Sequence, residues 1–241
     1  MSLNMSVLNV NATMVGYSTI FVPPQEQCQH HLIPSHNLPT PIRAEHLLNL
    51  LSGYTLSTTA YLYNGFKNGF PLHFEGEFHS FEAENLLSAC DHPDIVSSKI
   101  ERELAAHHLV GPFHPPPPLN VSPLSVVPKK TPREFRMIHH ISFPNGSSVK
   151  NSIPPEHTSV KYATTEDAIR LVKQNGKGFF LAKTDIKNVF RIIPIQSANY
   201  PLLGMKWDGL YHYDLCMPMG CSSSCKTFET FSSSVEWKAN E

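Results

Sequence analysis

The sequence of 241 residues lacks several features that would assign it to a well-defined class. It has no apolar run approaching the roughly 20 residues that a membrane-spanning helix needs. No Lys or Arg precedes Arg43, so the start lacks the charged flank of a signal peptide. The five cysteines are odd in number and irregularly spaced, which argues against a disulfide framework. We therefore expect an intracellular protein with reduced thiols, in the cytoplasm or the nucleus.

The chain is long enough for one large domain or two small ones. Residues 1–38 show no hydrophobic period and are rich in Asn, Gln, His and Pro, which predicts a loose tail. Residues 39–113 are predicted to form a helical extension, with helices over 41–51 and over 91–110, the second ended by Gly111 and Pro112. The Gly-Phe repeat at 63–78 within them suggests loops and short strands. Residues 114–241 form the third predicted region, where a helix is predicted to begin with an approximate capping box of Thr164 and Asp167 and to end at Gly176.

Charge is unevenly distributed along the chain, although the net charge is only -1. Residues 1–100 contain three basic and eight acidic side chains, whereas residues 129–191 contain twelve basic and five acidic ones. A local basic excess of this kind suits a polyanionic partner such as a nucleic acid. A basic face that is merely solvated remains an equal alternative.

The first stretch that suggests chemistry is "SPLSVVPKKTPREFRMIHHIS", residues 122–142. Two strand-like segments flank a turn at Thr131 and Pro132, and a tight hairpin would bring the basic residues together. Those residues are Lys129, Lys130, Arg133 and Arg136. Backbone donors and basic side chains in such a hairpin can hold a triphosphate. An ordinary surface hairpin is the alternative.

The second stretch is "LAKTDIKNVFRIIPI", residues 181–195. Asp185 follows an apolar segment, and a carboxylate at the end of a buried strand is costly unless it binds a cation or accepts hydrogen bonds. Mg²⁺ is commonly held by one or two carboxylates together with phosphate oxygens. A helix-capping aspartate is the alternative.

The third stretch is "CMPMGCSSSCKTFE", residues 216–229, where small side chains surround Gly220. Such a backbone can approach a flat ligand closely. The spacing of its three cysteines matches no usual zinc pairing. Paired histidines elsewhere, including His139 and His140, are more typical of surface or core positions than of metal ligands.

In this order, the three stretches resemble the reverse transcriptase of retrotransposons, closest to the DIRS and Ngaro type that encodes a tyrosine recombinase. The resemblance covers roughly residues 40–240 and also includes "NGFKNGFPLHFEG" and "GPFHPPPPLNVSPLSVVPKK". It implies an α+β right-hand polymerase, with fingers and a partial palm in residues 114–241. Strands near 123–128 and 134–141 would form a fingers hairpin. Strands near 179–185 and 210–215 would be antiparallel palm strands.

The resemblance also implies roles for single residues and a set of partners. Asp185 matches the first catalytic aspartate and Mg²⁺ ligand, and Phe190 matches the bulky residue that excludes a ribose 2′-hydroxyl. Further positions match residues beside the incoming nucleotide: Lys129 or Lys130 and Arg136 at the triphosphate, and Met219, Gly220 and Ser224 near the template base. The implied partners are an RNA template, a DNA primer and dNTP, with no membrane.

The sequence departs from the family pattern at several positions. Cys225 stands where a proline is usual, and Val189 replaces a common alanine. No Asp-Asp pair occurs anywhere, so the second catalytic motif is absent from these residues. We expect an RNA-directed DNA polymerase fragment, inactive alone, without the rest of the palm, the thumb, RNase H and recombinase. The alternative is a non-catalytic nucleic-acid-binding remnant of a transposable element.

Overall fold

The computed structural model describes residues 38–176, 178, 186 and 188–239, all within one compact unit that spans 37–241. The described residues form six α-helices: α1 (Ala44–Leu50), α2 (Leu56–Asn68), α3 (Leu87–Cys90), α4 (Pro93–Ala105), α5 (Thr165–Asn175) and α6 (Ser222–Ala239). They also form seven strands: β1 (Phe81–Glu82), β2 (Leu109–Phe113), β3 (Asn120–Val121), β4 (Leu124–Pro128), β5 (Phe135–His139), β6 (Gly204–Trp207) and β7 (Leu210–Asp214). No described helix is both long and apolar enough to cross a membrane.

Five of the strands form a mixed sheet in the order β1-β3-β6-β7-β2. The pairs β1–β3 and β3–β6 are parallel, whereas β7 is antiparallel to both β6 and β2. The fold is therefore α+β with a mixed sheet. Strands from both sides of the predicted boundary between residues 113 and 114 share this sheet, and the three-region division stays a prediction.

The predicted basic hairpin is confirmed. Strands β4 and β5 pair antiparallel, with Leu124 opposite His139 and Pro128 opposite Phe135. The hairpin is a separate two-stranded unit. It packs on the core through its inner face, since Leu124 and Val126 are buried.

The predicted strand near 210–215 is also confirmed as β7. A two-residue turn joins it to β6, and both turn residues, Asp208 and Gly209, have positive φ. That Asp-Gly pair suits a type I′ hairpin turn. The segment 179–185, its predicted palm partner, lies outside the described residues.

Two predicted element boundaries are wrong. Helix α4 begins at Pro93, two residues later than predicted, and ends at Ala105, because His107 adopts a left-handed φ of 57° that an α-helix cannot continue. The segment before Gly111 and Pro112 is strand β2 instead. Similarly, the Gly-Phe repeat at 63–78 suggested loops and short strands, yet α2 covers its first part through Asn68.

The helix predicted to begin at Thr164 is confirmed as α5. The Thr164 hydroxyl accepts from the backbone N–H of Asp167, whose carboxylate accepts in return from Thr164 N–H. This reciprocal pair is a capping box, and Gly176 follows the last helical residue with a positive φ. The predicted helix over 41–51 is confirmed as α1, three residues shorter at its start.

The core places α4 against the hairpin and the sheet. Its apolar residues at spacing four, Val96 and Ile100, pack with Leu109 of β2, Val126 of β4 and Met205 of β6. A second packing centre joins α2 to α6 through aromatic rings of Phe66, Phe70 and Phe231. These two centres pack the hairpin, the sheet and α6 into the fold, which sets the geometry of the candidate site.

Candidate nucleotide-binding site

The tip of the β4–β5 hairpin presents basic side chains to solvent. Lys129, Lys130, Arg133 and Arg136 are all exposed. Lys129 Nζ lies 3.0 Å from Glu134 Oε2, and its backbone N–H donates to the Glu134 carbonyl at 2.8 Å. Arg133 turns the chain with a left-handed φ of 63°. The structure therefore brings the predicted phosphate-binding residues together, with the charge of Lys129 shared with one acid.

Side chains along β5 alternate between its two faces, so the face that carries Arg136 is opposite a buried face. Arg136 is exposed, whereas His139, three residues later on the opposite face, is 7% exposed. The ring of His139 lies between two acceptors: Nε2 is 2.9 Å from Gly204 O, and Nδ1 is 3.3 Å from Asp214 Oδ2.

Asp214, at the end of β7, is fully buried and ionised. Arg191 Nη1 donates to its Oδ1 at 2.5 Å, and His139 contacts its other oxygen. Burial alone would raise the pKa of the Asp214 carboxyl, but the Arg191 guanidinium and the His139 hydrogen bond hold that pKa below its ordinary value. Both carboxylate oxygens therefore have partners within the fold.

Glu103 of α4 is the second buried acid on the same arginine. Its Oε2 lies 3.2 Å from Arg191 Nε and accepts from His108 Nδ1 at 2.8 Å, and Lys99 pairs with its Oε1. Burial works to raise the pKa of Glu103, but His108, Arg191 and Lys99 together lower it to about 2. We call Glu103, Arg191, Asp214 and His139 the buried ion network.

Phe190 lies beside this network in a single 3₁₀ turn, Val189–Ile192. Its ring is partly exposed and meets the ring of Phe228 on α6 edge-on, with centroids 6.2 Å apart. The next residue, Arg191, points into the network and its carbonyl accepts from Cys216 Sγ at 3.2 Å. The predicted ribose-excluding residue is thus held close to the loop of the third stretch.

The loop before α6 approaches the hairpin closely. Gly220 is exposed with a φ of 108°, and a Cβ at that position would lie 4.0 Å from the carbonyl oxygen of His139. Met219 is 49% exposed. Ser224 is fully buried, and its hydroxyl donates to Pro218 O at 3.0 Å. The side chain of Ser224 therefore fastens the loop to α6, while Met219 and Gly220 face outward.

The structure thus brings residues of all three predicted stretches together at the end of strand β5. The last residue of β5, His139, lies near Gly220 and bonds Asp214, which binds the neighbour of Phe190. Asp185, predicted as the catalytic and metal-binding carboxylate, lies outside the described residues. Its role, and those of the other named residues toward a nucleotide, stay predictions.

Sequence reasoning did not identify the residues of the buried ion network, although the sequence around Asp214 carried a signal. Asp214 ends the apolar strand "LYHYD", which is the same pattern that drew attention to Asp185. That pattern indicates a carboxylate with a buried partner. The partner, Arg191, is 23 residues away in sequence, and no local pattern identifies it.

Among the residues that the structure describes, no group of three or more His, Cys, Asp or Glu side chains could hold a metal ion. Asp214 is unsuitable because Arg191 and His139 take up its oxygens. Mg²⁺ stays a prediction that depends on Asp185.

A scan against protein-family models finds no match. A search of curated proteins likewise finds none. Solved structures of foamy virus protease-reverse transcriptase are similar over about four fifths of the chain. The native prototype foamy virus protein gives 17% identity, a TM-score of 0.47 and coverage of 80% of this chain and 25% of its own.

Two further foamy viral structures are similar at the same level. The protein in complex with double-stranded DNA gives 14% identity, a TM-score of 0.45 and coverage of 82% of this chain and 35% of its own. The protein in complex with an RNA/DNA hybrid gives 15% identity, a TM-score of 0.46 and coverage of 82% of this chain and 26% of its own. This chain spans about a quarter to a third of the length of those proteins. No activity of this chain follows from likeness at this level.

Proposed function

We propose that the chain is the fingers and partial palm of a retrotransposon reverse transcriptase, by descent an RNA-directed DNA polymerase. One observation supports this most: the buried ion network joins the basic hairpin to the turn that carries Phe190. A polymerase must present phosphate-binding cations and a sugar-contacting side chain to the same nucleotide, and this network fixes their relative position. The sequence motifs supply the family and the chemistry that the geometry alone would leave open.

In this proposal each exposed site residue has one task. Lys129 or Lys130, together with Arg136, holds the triphosphate, because charge-assisted hydrogen bonds to phosphate are strong and directional. Phe190 excludes a 2′-hydroxyl from the sugar pocket. Met219 and Gly220 form the wall beside the base pair, and Ser224 secures that wall. Asp185 would be the catalytic carboxylate.

The proposed partners are an RNA template, a DNA primer and dNTP. We also propose an intracellular location, in line with the free thiols of the four described cysteines, Cys90, Cys216, Cys221 and Cys225. When bound, Mg²⁺ would stabilise negative charge on the transferring phosphates. The Mg²⁺ ligand that the resemblance implies is Asp185, so that part of the proposal rests on this residue.

The second candidate is a remnant of a transposable element that binds nucleic acid without catalysis. It is favoured by the absence of an Asp-Asp pair, because Asp185 alone cannot anchor two metal ions against the reacting phosphate. The two candidates share the basic hairpin as the contact surface. They differ in whether the surface accepts a nucleotide beside Phe190.

The experiment that tests the proposal measures binding of the full chain to a primed RNA template at several salt concentrations. The double variant Lys130→Gln/Arg136→Gln should weaken binding and make it less dependent on salt. Each phosphate contact releases counterions and contributes about 0.9 to the steepness of log K against log salt concentration for duplex DNA, so each lost contact makes that dependence shallower. The control Lys161→Gln/Lys173→Gln removes the same charge from exposed positions outside the hairpin.

Equal effects of the two double variants would show a non-specific basic face and contradict the hairpin assignment. Competition by dNTP for the hairpin separates the two candidates: the polymerase-derived site predicts competition by micromolar to millimolar dNTP, about the usual range of enzyme KM values. Nucleic-acid binding without any dNTP competition would favour the non-catalytic remnant.

A further inference from the structure

We infer that Arg191 is a positioning residue that fixes the orientation of Phe190, and that Glu103 and Asp214 hold Arg191 in place. Its consequence for sugar selection rests on the proposed function. Arg191 would act on sugar selection through its neighbour, Phe190.

The turn that carries Phe190 has little to hold it in isolation. It is one 3₁₀ turn preceded by Asn188 in a left-handed conformation with φ of 55°. Two backbone hydrogen bonds join it to its flanking residues: Arg191 N–H donates to Asn188 O at 2.8 Å, and Ile193 N–H donates to Phe190 O at 3.3 Å. Short 3₁₀ segments have poor hydrogen-bond geometry, so tertiary contacts must fix this turn.

Arg191 supplies those contacts through a two-sided attachment. Its Nη1 binds Asp214 on β7 at 2.5 Å, and its Nε lies 3.2 Å from Glu103 on α4. The side chains of Asp214 and Glu103 are 1% and 7% exposed, so neither acid is free to exchange this partner for water. A planar guanidinium can serve two carboxylates at fixed angles, which a lysine ammonium cannot do with the same geometry.

The main chain is attached as well. The Arg191 carbonyl accepts from Cys216 Sγ, and Met217 N–H donates to the Ile193 carbonyl at 2.9 Å. The turn is therefore held by its arginine on one side and by the Cys216–Met217 segment on the other. Phe190, with one edge-on aromatic neighbour on α6, takes its orientation from this frame.

The experiment places 4-fluorophenylalanine at position 190 of the full chain and records the ¹⁹F NMR spectrum of the folded protein. The variant Arg191→Met should shift or split the resonance, since the turn loses both carboxylates. Arg191→Lys should give an intermediate spectrum, because the ammonium cannot reproduce the two-sided attachment. Val96→Ala is the control: it removes buried volume from α4 and leaves the arginine and its partners in place.

A wild-type resonance in Arg191→Met, under conditions where that variant is folded, would overturn the inference. So would an equal change in Val96→Ala, because the effect would then report general destabilisation. If Arg191→Met does not fold, the spectra of Arg191→Lys and Asp214→Asn decide by the same criteria.

A second arm measures binding of 2-aminopurine deoxyribonucleoside triphosphate against its ribonucleoside counterpart by fluorescence. Wild type should prefer the deoxy form, Phe190→Ala should lose about tenfold or more of that preference, and Arg191→Lys should lose part of it. If Phe190→Ala loses the preference for the deoxy form but Arg191→Met and Arg191→Lys both keep it, the inference is overturned. If wild type binds neither nucleotide, the proposed function fails, and the ¹⁹F spectra alone judge the positioning role.

Discussion

Asp214 and Arg191 form a buried ion pair, with Oδ1 and Nη1 2.5 Å apart. The same carboxylate bonds His139 at the end of β5 through its other oxygen. One side chain therefore connects the basic hairpin to the turn that carries Phe190. Because a buried carboxylate with both oxygens engaged is held firmly in one rotamer, relative movement of hairpin and turn must break a hydrogen bond at Asp214.

The first prediction concerns the stability of this pair. Arg191→Met leaves Glu103 and Asp214 buried without their cation, and a buried charge without its partner is costly to keep. We expect the free energy of unfolding to fall by about 3–5 kcal/mol, the range for breaking a buried ion pair. Urea denaturation followed by circular dichroism measures it.

A matched control exists on the surface of the sheet. Lys206 pairs with Glu82 at 2.5 Å, and their side chains are 35% and 41% exposed. Lys206→Met should therefore change stability by no more than about 1 kcal/mol. If both variants cost the same, the buried ion network contributes nothing beyond an ordinary surface pair.

The second prediction concerns acid. The pKa of Glu103 is lowered from 4.5 to about 2, so the folded state favours the ionised form. Glu103 contributes its full stabilisation at pH values above its ordinary pKa, and this contribution is lost as the pH falls through its lowered pKa. We expect the unfolding free energy to drop between about pH 5 and pH 2, with a lowered pKa of Asp214 adding in the same direction.

Glu103→Gln tests the assignment, because an amide keeps the shape of the side chain but does not titrate. Its stability should be lower at neutral pH and should fall less steeply with acid than that of the wild-type chain. Parallel pH profiles for the two proteins would contradict a role for Glu103 in acid sensitivity. The measurement is urea unfolding at steps between pH 7 and pH 2.5.

The third prediction concerns the loop before α6. Gly220 has a φ of 108°, where a Cβ is strained although the space around it is open. Gly220→Ala should destabilise by about 1–3 kcal/mol or change the loop. Met219→Ala, at the exposed neighbouring position, should stay within about 0.5 kcal/mol. Thermal unfolding distinguishes the two, and equal melting temperatures would mean that the loop tolerates a side chain there.

Sequence reasoning found the elements whose signals are local. The capping box at Thr164 and Asp167, the hairpin between 124 and 139, and strand β7 each follow from residues adjacent in the chain. The end of α4 was predicted too late, because the left-handed conformation of His107 has no marker in a helical sequence pattern. Histidine at that position looks like an ordinary helical residue.

The buried ion network illustrates what a single sequence leaves open. Glu103 and Asp214 lie on a helix and a strand that are far apart in sequence, and the sequence around each of them does not identify their shared partner, Arg191. Only the packing of α4 against the sheet brings both to Arg191. Similarly, His139 belongs to a histidine pair of a kind that is common in cores, and its two acceptors come from β6 and β7.

The fourth prediction concerns activity. These 241 residues should show no measurable dNTP incorporation on a primed RNA template, because they contain no Asp-Asp pair beside Asp185. A longer chain that includes such a motif downstream should gain incorporation, and Asp185→Asn in it should abolish the gain. Mg²⁺-dependent extension by the 241 residues that survives Asp185→Asn would show that the catalytic residue is misassigned.

Photolabelling tests the central claim most directly. The full chain is mixed with a primed RNA template and a photoreactive dATP analogue, irradiated, and mapped by peptide mass spectrometry. A nucleotide held between the hairpin and the Phe190 turn should label peptides that contain Lys130 to Arg136, Phe190 or Met219, and excess dATP should suppress the labelling. Labelling confined to α5 or to the α1–α2 region, or insensitive to dATP, would contradict the proposed nucleotide site.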